Sequence, residues 1–257
     1  MKRVLHISDL HFGRIHPPAI ASLENFLKAN EEKLDLIVMT GDWTQRARSS
    51  QYQEAAEFIK KLPVPLLTIP GNHDIPLYNF WVRLLRPLKN YNKYIRELAV
   101  DTFESAETVI VGFRTAHKYR TVEGRILEKD ILRAKKAFEA ADPKALRMIA
   151  CHHPVFQPKM LSRIRPRHLA QEVLNLKPHI IVSGHSHLNW IELVETEGHK
   201  ILHISAGSAT SDRLRGEVNS FHILEIADSN VRVETYFLEE EGFIIKDPQA
   251  TRAVSWA

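Results

Sequence analysis

Pro70-Gly71-Asn72-His73-Asp74 follows directly on the apolar run Val64 to Ile69. That run has the length and composition of a buried strand. A glycine at its end lets the backbone turn sharply, and an amide, an imidazole and a carboxylate then arrive at the carboxyl edge of a sheet, where α/β proteins bind ligands. Taken alone, Gly-Asn-His-Asp is an ordinary polar turn. Its meaning comes from repetition elsewhere in the chain.

Upstream, Lys2 to Ser8 reads as a strand running into Asp9-Leu10-His11, and Leu34 to Thr40 as another ending in Gly41-Asp42. Helical spacing fills the intervals: Pro17 to Ala29 carries Ile20, Leu23, Phe26 and Leu27 on one face, and Gln51 to Lys61 turns Ala55, Phe58, Ile59 and the following Leu62 inward. Strand, helix, strand, helix, strand implies parallel pairing with right-handed crossovers, which brings each polar cluster to the same edge. Downstream, Thr108 to Phe113 reads as a strand and Glu128 to Ala141 as a helix. Leu146 to Cys151 leads into His152-His153-Pro154, Arg165 to Leu176 is helical, and His179 to Ser183 leads into Gly184-His185-Ser186-His187. Asp9 with His11, and His185 with His187, are two residues apart, so extended backbone would turn each pair the same way. Trp190 to Thr196, Lys200 to Ser205, Ser220 to Ile226 and Val231 to Phe237 alternate apolar and polar residues and are expected to form an antiparallel-rich second sheet.

The 257 residues suit a single domain spanning 1–257, with a core large enough to need no disulfide or structural metal. Cys151, the single cysteine, ends an apolar run and reads as core, which turns attention from thiol chemistry. No apolar run is long enough to span a bilayer, and the amino terminus enters a strand without a signal-peptide pattern, so a cytoplasmic location is expected. The formal charge of +4 is a mild excess. It suits an anionic substrate and lacks the concentrated basic stripe of a nucleic-acid binder, so nucleic acid is not the expected partner. Six of the 14 histidines, His11, His73, His152, His153, His185 and His187, cluster at strand ends. Ile75 to Leu98 breaks the rhythm as a helical excursion, either packing Phe80, Trp81, Leu84 and Leu85 on the core or capping the site. The basic loop Arg114 to Arg125 follows later, and its His117 has no companion at metal-ligand spacing.

Unrelated structural causes would not place Asp, Asn and His repeatedly after buried strands. The order D-x-H, G-D, G-N-H-D, H-H-P and G-H-x-H over residues 9 to 187 resembles the calcineurin-like metallophosphoesterase superfamily, and most closely its bacterial class III cyclic-nucleotide phosphodiesterase branch. The resemblance implies a four-layer α/β/β/α sandwich of two mixed β-sheets flanked by helices, with two metal ions at one end. Carried over by position, Asp9, His11 and His187 hold the first ion and Asn72, His152 and His185 the second. Asp42 bridges both, and His73 stands near the substrate as the catalytic histidine. Oxygen and imidazole ligands without thiolate suit manganese, iron, zinc or cobalt. Such a pair of ions shares a hydroxide formed near neutral pH and binds phosphate oxygens, so hydrolysis needs no protein nucleophile.

Departures from family patterns narrow the expectation. Phosphoprotein phosphatases typically follow G-D with two residues and D-R-G, whereas this chain has Gly41-Asp42-Trp43-Thr44-Gln45-Arg46-Ala47. Gln45 cannot be a carboxylate partner for His73, and Arg46 is either a substrate contact beside Asn72 and His73 or a solvated surface arginine. Lipid-A pyrophosphohydrolases tend to carry arginine where His73 stands, so the intact motif points to direct phosphoester hydrolysis. A small phosphodiester is the expected substrate, with a 3',5'-cyclic nucleotide leading on resemblance alone. The alternatives are a monoesterase, a nucleotide or phospholipid head-group hydrolase, a nuclease using the basic stretches Arg83 to Arg96 and Arg163 to Arg167, and an inert scaffold. A homodimer accords with the family, while the residues leave oligomeric state unread. Substrate choice is expected to rest on loops Ile75 to Leu98, Arg114 to Arg125, Phe156 to Arg167 and Ser208 to Glu217.

Overall fold

A computed structural model describes residues 2–119, 122–155, 164–165, 167–196, 198–227, 229–246 and 252–255. Most of the expected loop Phe156 to Arg167 lies outside the described residues. The amino-terminal half alternates β1 (Lys2–Ile7), α1 (Pro17–Ala29), β2 (Leu36–Met39), α2 (Ser49–Ile59) and β3 (Leu66–Thr68), then enters α3 (Phe80–Leu85) and α4 (Lys89–Tyr94). A second series follows: β4 (Thr102–Glu104), β5 (Thr108–Phe113), β6 (Gly124–Arg125), α5 (Glu128–Ala140), β7 (Leu146–Cys151), β8 (Ile164–Arg165), α6 (Arg167–Asn175) and β9 (Ile180–Ser183). The chain finishes with β10 (Trp190–Thr196), β11 (His199–Ser205), β12 (Ser220–Ala227), β13 (Asn230–Glu239), β14 (Gly242–Ile245) and β15 (Arg252–Ser255).

Two mixed sheets result. One has the order β14-β13-β12-β1-β2-β3 with β15 also on β13, and the other β10-β11-β9-β7-β5-β4. β1, β2 and β3 pair in parallel, as do β5, β7 and β9, so their carboxyl ends share an edge within each sheet. Burial explains the layering. Val4, Val38 and Leu67 of one sheet meet Ile110, Met148, Ala150 and Val182 of the other in a central apolar layer. On the outer face of the first sheet, Leu5, Ile37 and Met39 pack with Leu23 and Leu27 of α1 and Phe58 and Ile59 of α2. Val111, Ile149 and Ile181 of the second sheet pack with Ala134 and Phe138 of α5 and Val173 of α6. The four layers are therefore α/β/β/α. No helix among the described residues is long and apolar enough to cross a membrane.

Two expectations need correction. The four alternating strands do not form one antiparallel sheet: β10 and β11 extend β9, whereas β12 and β13 add to β1. β12 is buried along most of its length, which demands a position inside a layered sheet and leaves β1 paired on both sides. The excursion is anchored by α4, through buried Tyr91 and the following Ile95, and α3 buries no residue. Phe80, Trp81 and Leu85 are 64%, 68% and 71% exposed. A six-residue helix has too few turns to offer a full apolar face, and Arg83 instead ties α3 to Pro76 O and Lys118 O.

Candidate metal centre

The donors converge through a backbone device different from the expected extended spacing. Asp9, His11, Asp42, His185 and His187 all have left-handed backbone, with φ between 53° and 66°. Such conformations cost non-glycine residues about 1–2 kcal/mol each. They are held because the loops after β1 and β2 run side by side: Asp9 N–H donates to Gly41 O at 3.1 Å and His11 N–H to Asp42 O at 3.0 Å. His185 N–H donates to Asp9 Oδ2 at 3.0 Å, linking the two sheets. Gly71 and Gly184 permit the closest approaches, since a Cβ at Gly71 would overlap Asp42 and one at Gly184 would overlap Ser8 and Asp9.

Two groups of donors share one carboxylate. In the first, Asp9 Oδ1 lies 3.6 Å from His11 Nε2 and 3.4 Å from His187 Nε2. In the second, Asn72 Oδ1 lies 3.0 Å from both His152 Nε2 and His185 Nδ1. Asp42 Oδ2 stands between them, 3.7 Å from His11 Nε2 and 3.5 Å from His152 Nε2. Donors each about 2.1 Å from a shared ion are separated by about 3.0–3.5 Å at ordinary coordination angles. The second oxygens are already committed: Asp9 Oδ2 accepts from Ser8 Oγ, and Asp42 Oδ1 accepts from His73 N–H at 2.8 Å. Asp9 Oδ1, Asp42 Oδ2 and His11 Nε2 are buried without a hydrogen-bond partner. A cation satisfies all three, so the donor set fits metal ions.

Electrostatics point the same way. Burial opposes ionisation of Asp9, but His187 and His11 outweigh it and hold the carboxyl well below the usual range. Burial also opposes ionisation of Asp42, and His152 and His73 reverse the balance. Burial, reinforced by His152, pushes His185 down to about 3, and burial takes His187 down to about 4. Both rings therefore present lone pairs at neutral pH. For His152, burial is overcome by Asp42, which raises it to about 9: a proton there is the counter-charge to the buried carboxylates, and a metal cation could take its place. His152 Nδ1 faces Thr40 O at 2.7 Å, which directs Nε2 inward.

His73 lies beside this cluster and is partly exposed. Its Nδ1 donates to the backbone carbonyl of Gln45 at 2.9 Å, so main chain supplies the partner that the Gln45 side chain cannot. Burial, aided by His11 and Arg213 and opposed by Asp42, lowers its pKa. Asn72, His73, Gln45, Arg46, Leu77 and Arg83 line an adjoining cleft of about 110 Å³, where Arg46 also lies 5.7 Å from the Tyr78 ring. Asp74, the last residue of the central motif, is a brace. It accepts from Gly71 N–H, Trp43 N–H, Thr44 N–H and Thr44 Oγ1 at 2.9–3.2 Å, clamping the loop after β3 to the loop after β2.

Three residues of interest carry no assigned role in the sequence reading. His153 joins His152 and His185 in a group of imidazoles able to share an ion, with its Nδ1 2.9 Å from Thr115 Oγ1. Its only sequence signal is the doubled histidine. Arg213 reaches His73 from the far end of the chain, within a loop expected near the site but with no motif to single it out. Ser208, at the start of that loop, hydrogen-bonds Asp9 O at 2.8 Å. His117 stays in its loop near Tyr119 and Arg125.

Known proteins resemble parts of this arrangement. A 3',5'-cyclic adenosine monophosphate phosphodiesterase, CpdA, of Escherichia coli K12 is 37% identical over 81 residues, 28% of this chain and 30% of that protein. A glycerophosphodiester phosphodiesterase, GpdQ, of Enterobacter lignolyticus is 37% identical over 92 residues, 32% of each chain. The chain thus spans about a third of the length of these curated relatives. A solved purple acid phosphatase from yellow lupin superposes with a TM-score of 0.71 at 13% identity, covering 99% of this chain and 53% of that one, which speaks to the fold alone. Residues 2–189 match the calcineurin-like phosphoesterase model, and with its strand-end donors in order the chain belongs to that family.

Proposed function

We propose that this chain is a two-metal phosphodiesterase that hydrolyses a small diester, with a 3',5'-cyclic nucleotide as the leading candidate. One observation carries the reading: Asp9, His11, Asp42, Asn72, His152, His185 and His187 converge while buried atoms of Asp9, Asp42 and His11 stay unpaired. The relatives named for cyclic-nucleotide and glycerophosphodiester hydrolysis support the diester preference. Manganese, iron, zinc and cobalt all suit these donors. Bound ions supply Lewis-acid attraction for phosphate oxygens and lower the pKa of nearby water.

The protein's own part follows from the geometry. In this reading Asp9, His11 and His187 would hold one ion, Asn72, His152 and His185 the other, and Asp42 would serve both. Asn72 contributes a neutral oxygen, so two carboxylates face two divalent ions and the centre stays cationic toward a phosphate. His73 keeps one proton on Nδ1, donated to Gln45 O. To act as an acid His73 first takes a second proton from water at Nε2, and that proton is the one passed to the leaving oxygen, the ring returning to its neutral form. Arg46, which lines the same cleft as Asn72 and His73, contacts the departing group in this reading.

The test compares bis(p-nitrophenyl) phosphate with p-nitrophenyl phosphate after reconstitution with Mn²⁺. A diester preference abolished by chelator and restored by metal supports the reading, and 3',5'-cyclic AMP is the next substrate to assay. Preference for the monoester transfers the assignment to a phosphatase.

A further inference from the structure

The loop between β11 and β12 contributes none of the proposed metal ligands, yet it is fastened to the loop after β1 with unusual thoroughness. Ser208 Oγ donates to Asp9 O at 2.8 Å, Thr210 Oγ1 to Leu10 O at 3.0 Å and Ser211 Oγ to Arg14 O at 3.0 Å. Main chain adds Ala209 N–H to Ser8 O at 3.0 Å and His16 N–H to Thr210 O at 2.7 Å. Asn219 Nδ2 holds the far side through Ser208 O and Ser211 O. Asp212 then pairs with Arg14 at 2.8 and 3.1 Å. Ser208, Thr210, Ser211 and Asn219 are all buried, so the backbone is fixed up to the point where Arg213 emerges.

Arg213 Nη1 lies 2.8 Å from His73 Nε2 and 3.4 Å from Gln45 Oε1. With the Nδ1 proton of His73 committed to Gln45 O, Nε2 accepts from the guanidinium. Among the described residues no carboxylate lies within ion-pair distance of Arg213, although the side chain is half-buried. A guanidinium has five N–H donors in a planar fork suited to phosphate. Its partners here are neutral and use one nitrogen.

We propose that Arg213 is a substrate-binding residue that clamps a non-bridging phosphate oxygen; this rests on the phosphodiesterase reading above. In the free protein Arg213 occupies His73 Nε2. On binding, the guanidinium exchanges that nitrogen for the phosphate oxygen, which frees Nε2 to face the leaving oxygen. One residue thus couples substrate arrival to exposure of the catalytic histidine. Because the clamp grips phosphate and not the alcohol, diester and monoester substrates depend on it alike.

The experiment uses Mn²⁺-loaded full chain, wild type, Arg213→Ala and Arg213→Lys, with two readouts. Turnover of bis(p-nitrophenyl) phosphate is expected to show KM raised about 10- to 100-fold in Arg213→Ala, partly restored by free guanidinium, with Arg213→Lys intermediate. Calorimetric affinity for inorganic phosphate is expected to fall by a similar factor while metal content stays at the wild-type value. Wild-type KM and phosphate affinity in Arg213→Ala would overturn the clamp. If wild type turns over neither ester, the phosphodiesterase reading fails, and phosphate affinity still decides the clamp: a loss in both variants supports it, whereas equal binding, or none by wild type, overturns it.

Discussion

The two loops that meet over the donor cluster are built on opposite plans. The loop after β1 carries two of the proposed ligands, Asp9 and His11, in left-handed backbone stabilised by the neighbouring loop. The loop before β12 carries hydroxyls, spends them on buried backbone carbonyls, and presents one cation, Arg213, to His73. The first loop holds metals and the second meets the substrate in this account. Metal-holding residues are therefore expected to govern both metal content and turnover, and the arginine loop only binding and rate.

The largest effect that separates the two is expected at Asp42, whose Oδ2 lies 3.7 Å and 3.5 Å from one histidine in each donor group. Asp42→Asn should lower turnover by 10³-fold or more, about 4 kcal/mol, and remove metal, as read by elemental analysis of the purified protein. Full metal content in that variant would break the division of labour. His73→Ala comes next. A general acid contributes about 10²–10⁴-fold, so turnover of a substrate with a poor leaving group should fall within that range at unchanged metal content. A substrate with p-nitrophenolate as leaving group should suffer less, and equal losses on both would count against proton donation by His73.

Asp74 tests the scaffold beneath both loops. Asp74→Ala leaves the buried N–H groups of Gly71, Trp43 and Thr44 without their acceptor. A loss of about 2–4 kcal/mol in denaturant unfolding is expected. A smaller pH effect comes from imidazoles remote from the proposed ligands. Burial holds His203 at about 3, and burial, partly offset by the Ser205 carbonyl, holds His222 at about 4. Their folded pKa values lie below the unfolded value of about 6.5, so the unfolded chain binds more protons and stability falls as pH drops from about 6.5 toward 4. Each contributes at most about 1.4 kcal/mol per pH unit in that window. Denaturation of His222→Gln across pH 7 to 5 should show a shallower acid slope than wild type. The smallest effect is expected on α3: Trp81→Ser, at a 68% exposed position, should change stability by no more than about 0.5 kcal/mol.

How much of this was legible in the sequence divides along the same line. Helix α1 and strands β5, β7 and β10 fall where the sequence pattern puts them: α1 buries one face, β5 and β7 are buried almost throughout, and β10, at a sheet edge, is only partly covered. The strand-end donors were legible because each follows a buried run directly. Their backbone was not: left-handed φ at Asp9 or His187 is imposed by neighbouring loops and leaves no glycine as a signal. Arg213 was hidden for a related reason. It lies 140 residues from His73, and its loop is recognisable only by a run of small hydroxyl residues, Ser208, Thr210 and Ser211, whose partners come from tertiary docking. The partition of β10 to β13 between sheets depends on which edges remain open after α/β crossovers, which alternation alone does not encode.

The central claim is that the strand-end donors form a two-ion centre served by Asp42. The most direct measurement is metal stoichiometry: apoprotein saturated with Mn²⁺, freed of excess ion and assayed by elemental mass spectrometry, beside Asp42→Asn. The account predicts two equivalents in wild type, one or fewer in the variant, and phosphodiester turnover that rises with the second equivalent. One equivalent or none in fully saturated wild type, or full turnover at a single equivalent, would contradict it.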